Sequence, residues 1–352
     1  MLSPADTLQA YRALRRHYCV IKERCPARLV CSIGATLLFA LGFLPASASQ
    51  AGAPGAAKAL FVIVDGIPAD VIERVPTPAI DAISAEGAYA RAQVGGPVGG
   101  PGETPTVSAP GYMGLVTGTW ANKHNVYGNS DLSPNYDYWN LFRLARAVKP
   151  DLRLGIFSTW TDNRTILLGE RLPKAGAFYF DFAIDGFEDD SGRFPSEPMD
   201  AQIEDIDAAV SRAAAKVIAD EAPDLSWVYL QYTDDVAHEH GDGPAFDLAV
   251  RRMDERVGWI WSAIKNRQAS HDENWLVIVT TDHGRDAETG REHGGQSARE
   301  RTIWMATNSQ ALTPDFFDLP EIVDIYPSIA RHLGLTIPHH VARQLDGASF
   351  IE

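Results

Sequence analysis

Three stretches of the chain carry residue types at spacings that ion-assisted chemistry uses. Asp282 and His283 stand side by side in Trp275 to Gln296 (WLVIVTTDHGRDAETGREHGGQ), and His293 follows ten residues later. Asp234 and His238 lie in YTDDVAHEHG, spaced so that both side chains fall on one side of a helical turn or tight loop. Asp65 adds a third carboxylate, followed at once by Gly66. Oxygen and nitrogen donors without a thiolate suit zinc or manganese, and these six residues are enough for two ions sharing a site. Two such ions can activate a nucleophile on one and stabilise the leaving oxygen on the other, which is what phosphoryl transfer needs. Ser108, two residues before Pro110 at an expected helix start, is the candidate nucleophile. A serine there is also an ordinary cap, but backbone N–H groups and the helix dipole favour a phosphate at the same place.

Each acidic cluster follows an apolar run. Ala59 to Val64 (ALFVIV) stops at Asp65, Trp227 to Tyr232 (WVYLQY) runs into Asp234, and Leu276 to Val279 ends just before Asp282. Such runs are what strands buried on both faces require. Helical patterns at Pro78 to Gly87, Ser108 to Gly118, Tyr136 to Val148, Ile203 to Asp220 and Ala245 to Lys265 separate them, with further strands at Leu152 to Phe157 and Arg301 to Ala306. Ile322 to Leu333 reads as one helix, kinked at Pro327. This alternation predicts an α/β fold: a doubly wound, mostly parallel sheet between helix layers, with ligands at the carboxyl ends of its strands. Residues 159–202, rich in aromatics and acids, read as a small inserted cap or as a plain surface excursion. Gly95 to Gly102 (GGPVGGPG) lacks the order of a nucleotide-binding loop.

The first 48 residues read as a secretory signal peptide. Arg12, Arg15, Arg16, Lys22, Arg24 and Arg28 precede the uncharged run Leu29 to Leu44, and Ala46-Ser47-Ala48 is a small-x-small cleavage signal. An uncleaved membrane anchor is the alternative, although the run is short for a span. Cleavage would remove Cys19, Cys25 and Cys31, leaving no disulfide framework. It would also remove six basic and two acidic residues and take the formal charge from −15 to −19. A flexible start over 49–58 and a hydrolase domain over 59–352 would remain, in the periplasm or secreted. That acidity argues against binding nucleic-acid duplexes, and it leaves bound cations as the obvious source of positive charge for a small anionic substrate.

In this order the motifs resemble the alkaline phosphatase superfamily, and within it the type I phosphodiesterase/nucleotide pyrophosphatase branch, over roughly Leu60 to Leu335. The family's first strand ends in a metal-binding Asp, matched by Asp65. Its Thr or Ser nucleophile stands before a Pro and a helix closing in V-T-G, matched by Ser108, Pro110 and Val116-Thr117-Gly118. An Asn after an H-G-V-like turn binds a phosphate oxygen in the family, and His124-Asn125-Val126 places Asn129 there. The D-x-x-x-H-x-x-G and D-H-G motifs are met by Asp234, His238 and Gly241, and by Asp282, His283 and Gly284. The resemblance implies that Asp65, Asp282, His283 and Ser108 meet one divalent ion, most simply Zn2+, and that Asp234, His238 and His293 hold a second. It also implies ping-pong hydrolysis through a phosphoserine.

Three departures keep neighbouring activities open. His293 follows His283 without the family's long insertion, Arg285 follows the D-H-G, and the nucleophile is Ser rather than the Thr common among diesterases. Arg285 and Arg299 read as phosphate contacts or as salt-bridged surface residues. Phosphomonoesters and phosphonates therefore stay open beside diesters. A sulfatase would need Arg where Tyr112 stands and a second Asp where Gly66 stands. A catalytically dead envelope binding protein is the non-enzyme alternative.

Overall fold

The chain's structure is a computed structural model that describes residues 55–195 and 199–352. The expected signal peptide and its three cysteines lie outside the described residues. At the centre stands β1 (Ala56–Val64), buried without a break from Lys58 to Val64. Its side chains alternate between two cores. Phe61 and Ile63 pack on one face of the sheet, and Leu60, Val62 and Val64 on the other. Each such apolar side chain gains roughly 1.5–3 kcal/mol from burial, so a strand apolar on both faces is driven to the middle.

Around β1 the strands β2 (Ala88–Gln93), β3 (Leu154–Ser158), β4 (Phe182–Ile184), β5 (Leu225–Leu230), β6 (Glu273–Thr280) and β7 (Thr302–Thr307) form one sheet in the order β2-β7-β6-β1-β5-β3-β4. β6, β1, β5, β3 and β4 are parallel, and β7 runs antiparallel to both of its neighbours. Helices α1 (Pro78–Glu86), α2 (Ser108–Thr117), α3 (Leu141–Val148), α4 (Met199–Glu221), α5 (Tyr232–His240), α6 (Pro244–Ser270) and α7 (Ile325–His332) cover both faces. α2, α3 and α7 share the core of Phe61, while α1, α4 and α6 share that of Val62. The doubly wound, mostly parallel α/β sheet expected from the sequence is the fold the chain adopts.

Register explains the site. Val62 lies opposite Val228 on one side and Val279 on the other, so β5, β1 and β6 end side by side. Their following residues emerge at one edge. The start of α5 is set from below: Asp207 of α4 is buried and accepts the N–H groups of Gln231 and Tyr232, each at 3.0 Å, and the Thr159 hydroxyl at 2.6 Å. A buried carboxylate fixed by three donors thus orients the helix that carries Asp234 and His238.

Some elements differ from expectation. The single helix expected over Ile322 to Leu333 is a 3-10 turn (Ile322–Asp324) followed by α7. Pro327 falls in the first turn of α7, where a missing N–H breaks no intrahelical bond, so no kink is needed there. Residues 159–195 include β4, which adds a short parallel strand to the sheet beyond β3. Among the described residues no helix is long and apolar enough to cross a membrane.

Candidate functional site

Asp65 leaves β1 with its two oxygens in different surroundings. Oδ2 accepts the Tyr229 hydroxyl of β5 at 2.7 Å and also that of Tyr112 on α2, whereas Oδ1 is buried with no hydrogen-bond donor among the described residues. Asp282 repeats the pattern: Oδ1 accepts the Gly66 N–H at 3.1 Å, and the buried Oδ2 has no donor. His283 Nε2 sits between the two orphaned oxygens, 3.3 Å from Asp65 Oδ1 and 3.4 Å from Asp282 Oδ2. Its other nitrogen, Nδ1, is 2.9 Å from the Gly284 carbonyl, an acceptor, so Nδ1 keeps its proton, and Nε2, which faces the carboxylates, is the atom an ion would take in exchange for the second proton.

The second cluster lies alongside. His238 Nε2 is 3.3 Å from Asp234 Oδ2 and 3.0 Å from His293 Nε2, and His293 Nδ1 is held 3.0 Å from the Thr106 carbonyl. The rings of His283 and His293 stack at 3.9 Å, which joins the clusters. Donor atoms of Asp65, Asp282 and His283 lie within 4.8 Å of one another, and so do those of Asp234, His283 and His293. His283 therefore belongs to both triads. Gly241, which closes the D-x-x-x-H-x-x-G motif, has φ +67°, and a Cβ there would stand 2.3 Å from the Thr289 carbonyl; only glycine fits.

Ser108 is the first residue of α2, and Val107 occupies the N-cap position with no capping bond. The serine hydroxyl is therefore not used as a cap. Ser108 Oγ lies 3.4 Å from His283 Nε2. α2 approaches the sheet closely enough that a Cβ on Gly111 would stand 2.8 Å from the Asp282 carbonyl. Asn129 Oδ1 accepts the Ala109 N–H at 2.9 Å, which leaves its Nδ2 hydrogens uncommitted to that bond. Asp65, Ser108, Tyr112, Asn129, Trp160, Tyr229, Gln231 and Asp234 line a cavity of about 260 Å³.

This lining contains two carboxylates and no basic side chain. Burial, and then the charge of Asp65, push the Asp282 carboxyl well above its ordinary range. Burial would lower His283, but Asp282 and Asp65 outweigh it and raise the imidazole to about 9. The protein thus concentrates negative charge here beyond what its own cations neutralise. Orphaned, buried carboxylate oxygens beside imidazole Nε2 atoms, once those atoms have given up their protons, are the donor set of a divalent cation, and the residues fit one. Both arginines raised as phosphate contacts are otherwise engaged. Arg299 bonds Asp70, Asp242 and the Asp286 carbonyl, and Arg285 is wholly buried, bonding Asp234 and three backbone carbonyls. Arg285 is thus no surface residue.

The model of the type I phosphodiesterase/nucleotide pyrophosphatase family matches residues 59–328. The chain belongs to that family. Among curated relatives, this phosphodiesterase-family chain is 25% identical to ectonucleotide pyrophosphatase/phosphodiesterase family member 7 of Mus musculus over 256 residues, covering 70% of the chain and 54% of the relative. The Homo sapiens protein is also 25% identical, over 264 residues. The chain spans about half the length of these relatives. Among solved structures it resembles murine ectonucleotide pyrophosphatase/phosphodiesterase 5, an inactive variant in complex with AMP, at a TM-score of 0.58 and 16% identity, over 82% of this chain and 99% of that one. It also resembles the phosphonate monoester hydrolase of Agrobacterium radiobacter at a TM-score of 0.57 and 16% identity, over 83% and 76%.

The sequence did not single out Tyr229, Trp160 or Gln231, which lie at or just beyond strand ends, and Tyr112 entered only as the absence of an arginine. In the phosphodiesterase-family chain the loop bearing Asn129 begins at His124, fully buried, whose Nδ1 accepts the Val126 N–H at 3.1 Å. Burial holds this imidazole neutral down to about 3, whereas the unfolded chain protonates near 6.5. The unfolded state thus binds more protons between those values, so stability is present above 6.5 and falls as pH drops. By pH 4 the loss from this group is about 3 kcal/mol. Urea unfolding at several pH values should show a shallower acid slope for His124→Asn, whose Oδ1 can still accept the Val126 N–H. Identical slopes would reject this account.

Proposed function

We propose that the chain is an exported two-metal phosphoric-ester hydrolase that cleaves small phosphodiesters, nucleotide pyrophosphates among them, through a phosphoserine at Ser108. The observation that carries this reading is the convergence of Ser108 Oγ, the orphaned Asp65 Oδ1 and Asp282 Oδ2, and the shared His283 Nε2 at the edge where β5, β1 and β6 end. Asp65, Asp282, His283 and Ser108 would meet one ion, and Asp234, His238 and His293 the other. Zinc suits this donor set, with manganese as the alternative. Two bound ions supply the positive charge that lowers the pKa of the serine hydroxyl and neutralises the leaving oxygen.

Ser108 Oγ bonds to phosphorus as the ester P–O bond breaks with its electron pair on the departing oxygen, and the proton from Ser108 ends on that alcohol. Water then attacks the serine-bound phosphoryl group; its oxygen stays on the phosphate product and one of its protons goes to Ser108 as the Ser–O–P bond breaks. The N-terminal turn of α2 and the Nδ2 group of Asn129 would hold the non-bridging oxygens. Trp160 and Gln231 form the wall on the β3 and β5 side, where the remainder of the substrate would rest. The apolar leader and cleavage signal support a periplasmic or secreted location.

The test compares hydrolysis of a nitrophenyl phosphodiester with that of the matching monoester by the zinc-loaded chain, with and without chelator. Chelator-sensitive cleavage that is faster on the diester is the expected result. Faster monoester cleavage would move the chain to the phosphatase side, and inactivity on both would remove the reading.

A further inference from the structure

The two ion clusters are not equivalent in charge: they differ by one carboxylate, and one further residue widens the difference. Asp65, Asp282 and His283 bring two carboxylates whose remaining partners are neutral: phenol hydroxyls on Asp65 Oδ2 and a backbone N–H on Asp282 Oδ1. Asp234, His238 and His293 bring one carboxylate, and its Oδ1 is already in contact with the Arg285 guanidinium. The first cluster therefore offers a divalent cation two negative charges. The second offers none in excess.

Arg285 cannot move aside when a cation arrives. It is wholly buried, and its remaining donors are fixed by backbone carbonyls: Nε to Gly66 at 3.0 Å, one terminal nitrogen to Arg291 at 2.7 Å, and the nitrogen on Asp234 also to the Asp234 carbonyl at 3.0 Å. An arginine stays protonated, so the charge is permanent. A cation on Asp234 would have to share that carboxylate with the guanidinium. The same bond turns Asp234 Oδ2 toward His238, 3.3 Å away, so Arg285 both positions the ligand and opposes the ion.

We propose that Arg285 makes the Asp234–His238–His293 site the weaker of the two, filled second and emptied first, so that the enzyme passes through a singly loaded state as divalent cation becomes scarce. This rests on the two-ion reading above. A fixed positive charge on the shared carboxylate is expected to separate the two dissociation constants by roughly 10- to 100-fold.

The experiment strips the full chain with chelator and titrates it with Zn2+ by equilibrium dialysis and elemental analysis, so that no activity enters the readout. Wild type is expected to bind two ions in separate steps. Asp234→Asn should lose the weaker step and keep the stronger. Arg285→Met, which removes the charge at similar length, should tighten the weaker step by about tenfold or more, while Arg285→Lys keeps the gap. A merely structural arginine predicts the opposite for Met: both substitutions would loosen the site. Loosening by Met, or two equal steps in wild type, would overturn the proposal while leaving two ions in place. If Arg285→Met does not fold, Arg285→Gln, which also removes the charge, is titrated in its place and read the same way. Binding of fewer than two ions by wild type at saturating zinc would bring down the two-ion reading and this proposal with it.

Discussion

Ser108→Ala is expected to abolish turnover, by on the order of 10⁴-fold or more, without loss of bound ions. The magnitude follows from the lack of a substitute in the cavity. Its other hydroxyls, on Tyr112 and Tyr229, both donate to Asp65, and burial followed by the charge of Asp65 holds both phenols well above their ordinary pKa. Neither can become a phenolate nucleophile at neutral pH. Removing Oγ takes one ligand from a cluster that keeps two carboxylates and an imidazole, so elemental analysis should find metal content unchanged. Rapid quenching of the wild type with a diester should leave the substrate's phosphoryl group, still esterified to its remaining alcohol, on the peptide containing Ser108. A variant retaining activity within tenfold of wild type, or phosphate trapped on another peptide, would remove Ser108 as nucleophile.

His283→Ala is expected to have the second largest effect, because this imidazole alone belongs to both triads. Its loss should lower the occupancy of both ions and reduce activity by at least about 100-fold. It should also destabilise the metal-free fold by about 3–5 kcal/mol, since the orphaned oxygens of Asp65 and Asp282 would then face each other without the cation between them. His238→Ala is the control. His238 lies at the rim of the site, its side chain 39% exposed, and its imidazole meets Asp234 and His293, so one ion should be lost and the fold barely affected. Metal analysis and thermal unfolding of the two variants separate the cases. Equal losses from both would contradict a shared His283.

The centre of the molecule could be read from its sequence because burial on both faces leaves a plain record. β1, β5 and β6 each carry a continuous apolar run (ALFVIV, WVYL and WLVIV), and the ligand-type residues follow within a few positions, so strand ends and chemistry are found together. The edges leave no such record. β2 (AYARAQ) is largely half-exposed and has β7 as its one neighbouring strand in the sheet, and β4 is three residues long, too short for any periodicity to register. Asp207 was hidden for another reason: its partners Thr159, Gln231 and Tyr232 are brought to it only by the packing of α4 against the sheet. Arg285 could be seen beside the D-H-G, but not its burial. A charged residue in a loop reads as surface unless the carbonyls that surround it are known.

The close approach of Gly111 to the Asp282 carbonyl has a consequence for how the enzyme ages and fails. The proposed nucleophile Ser108 and the proposed ligand Asp282 are held in register by main chain against main chain, with no intervening side chain to relax, oxidise or adopt another rotamer. A lift of α2 from the sheet as a unit is therefore expected to part Ser108 from Asp282 and His283 in a single step.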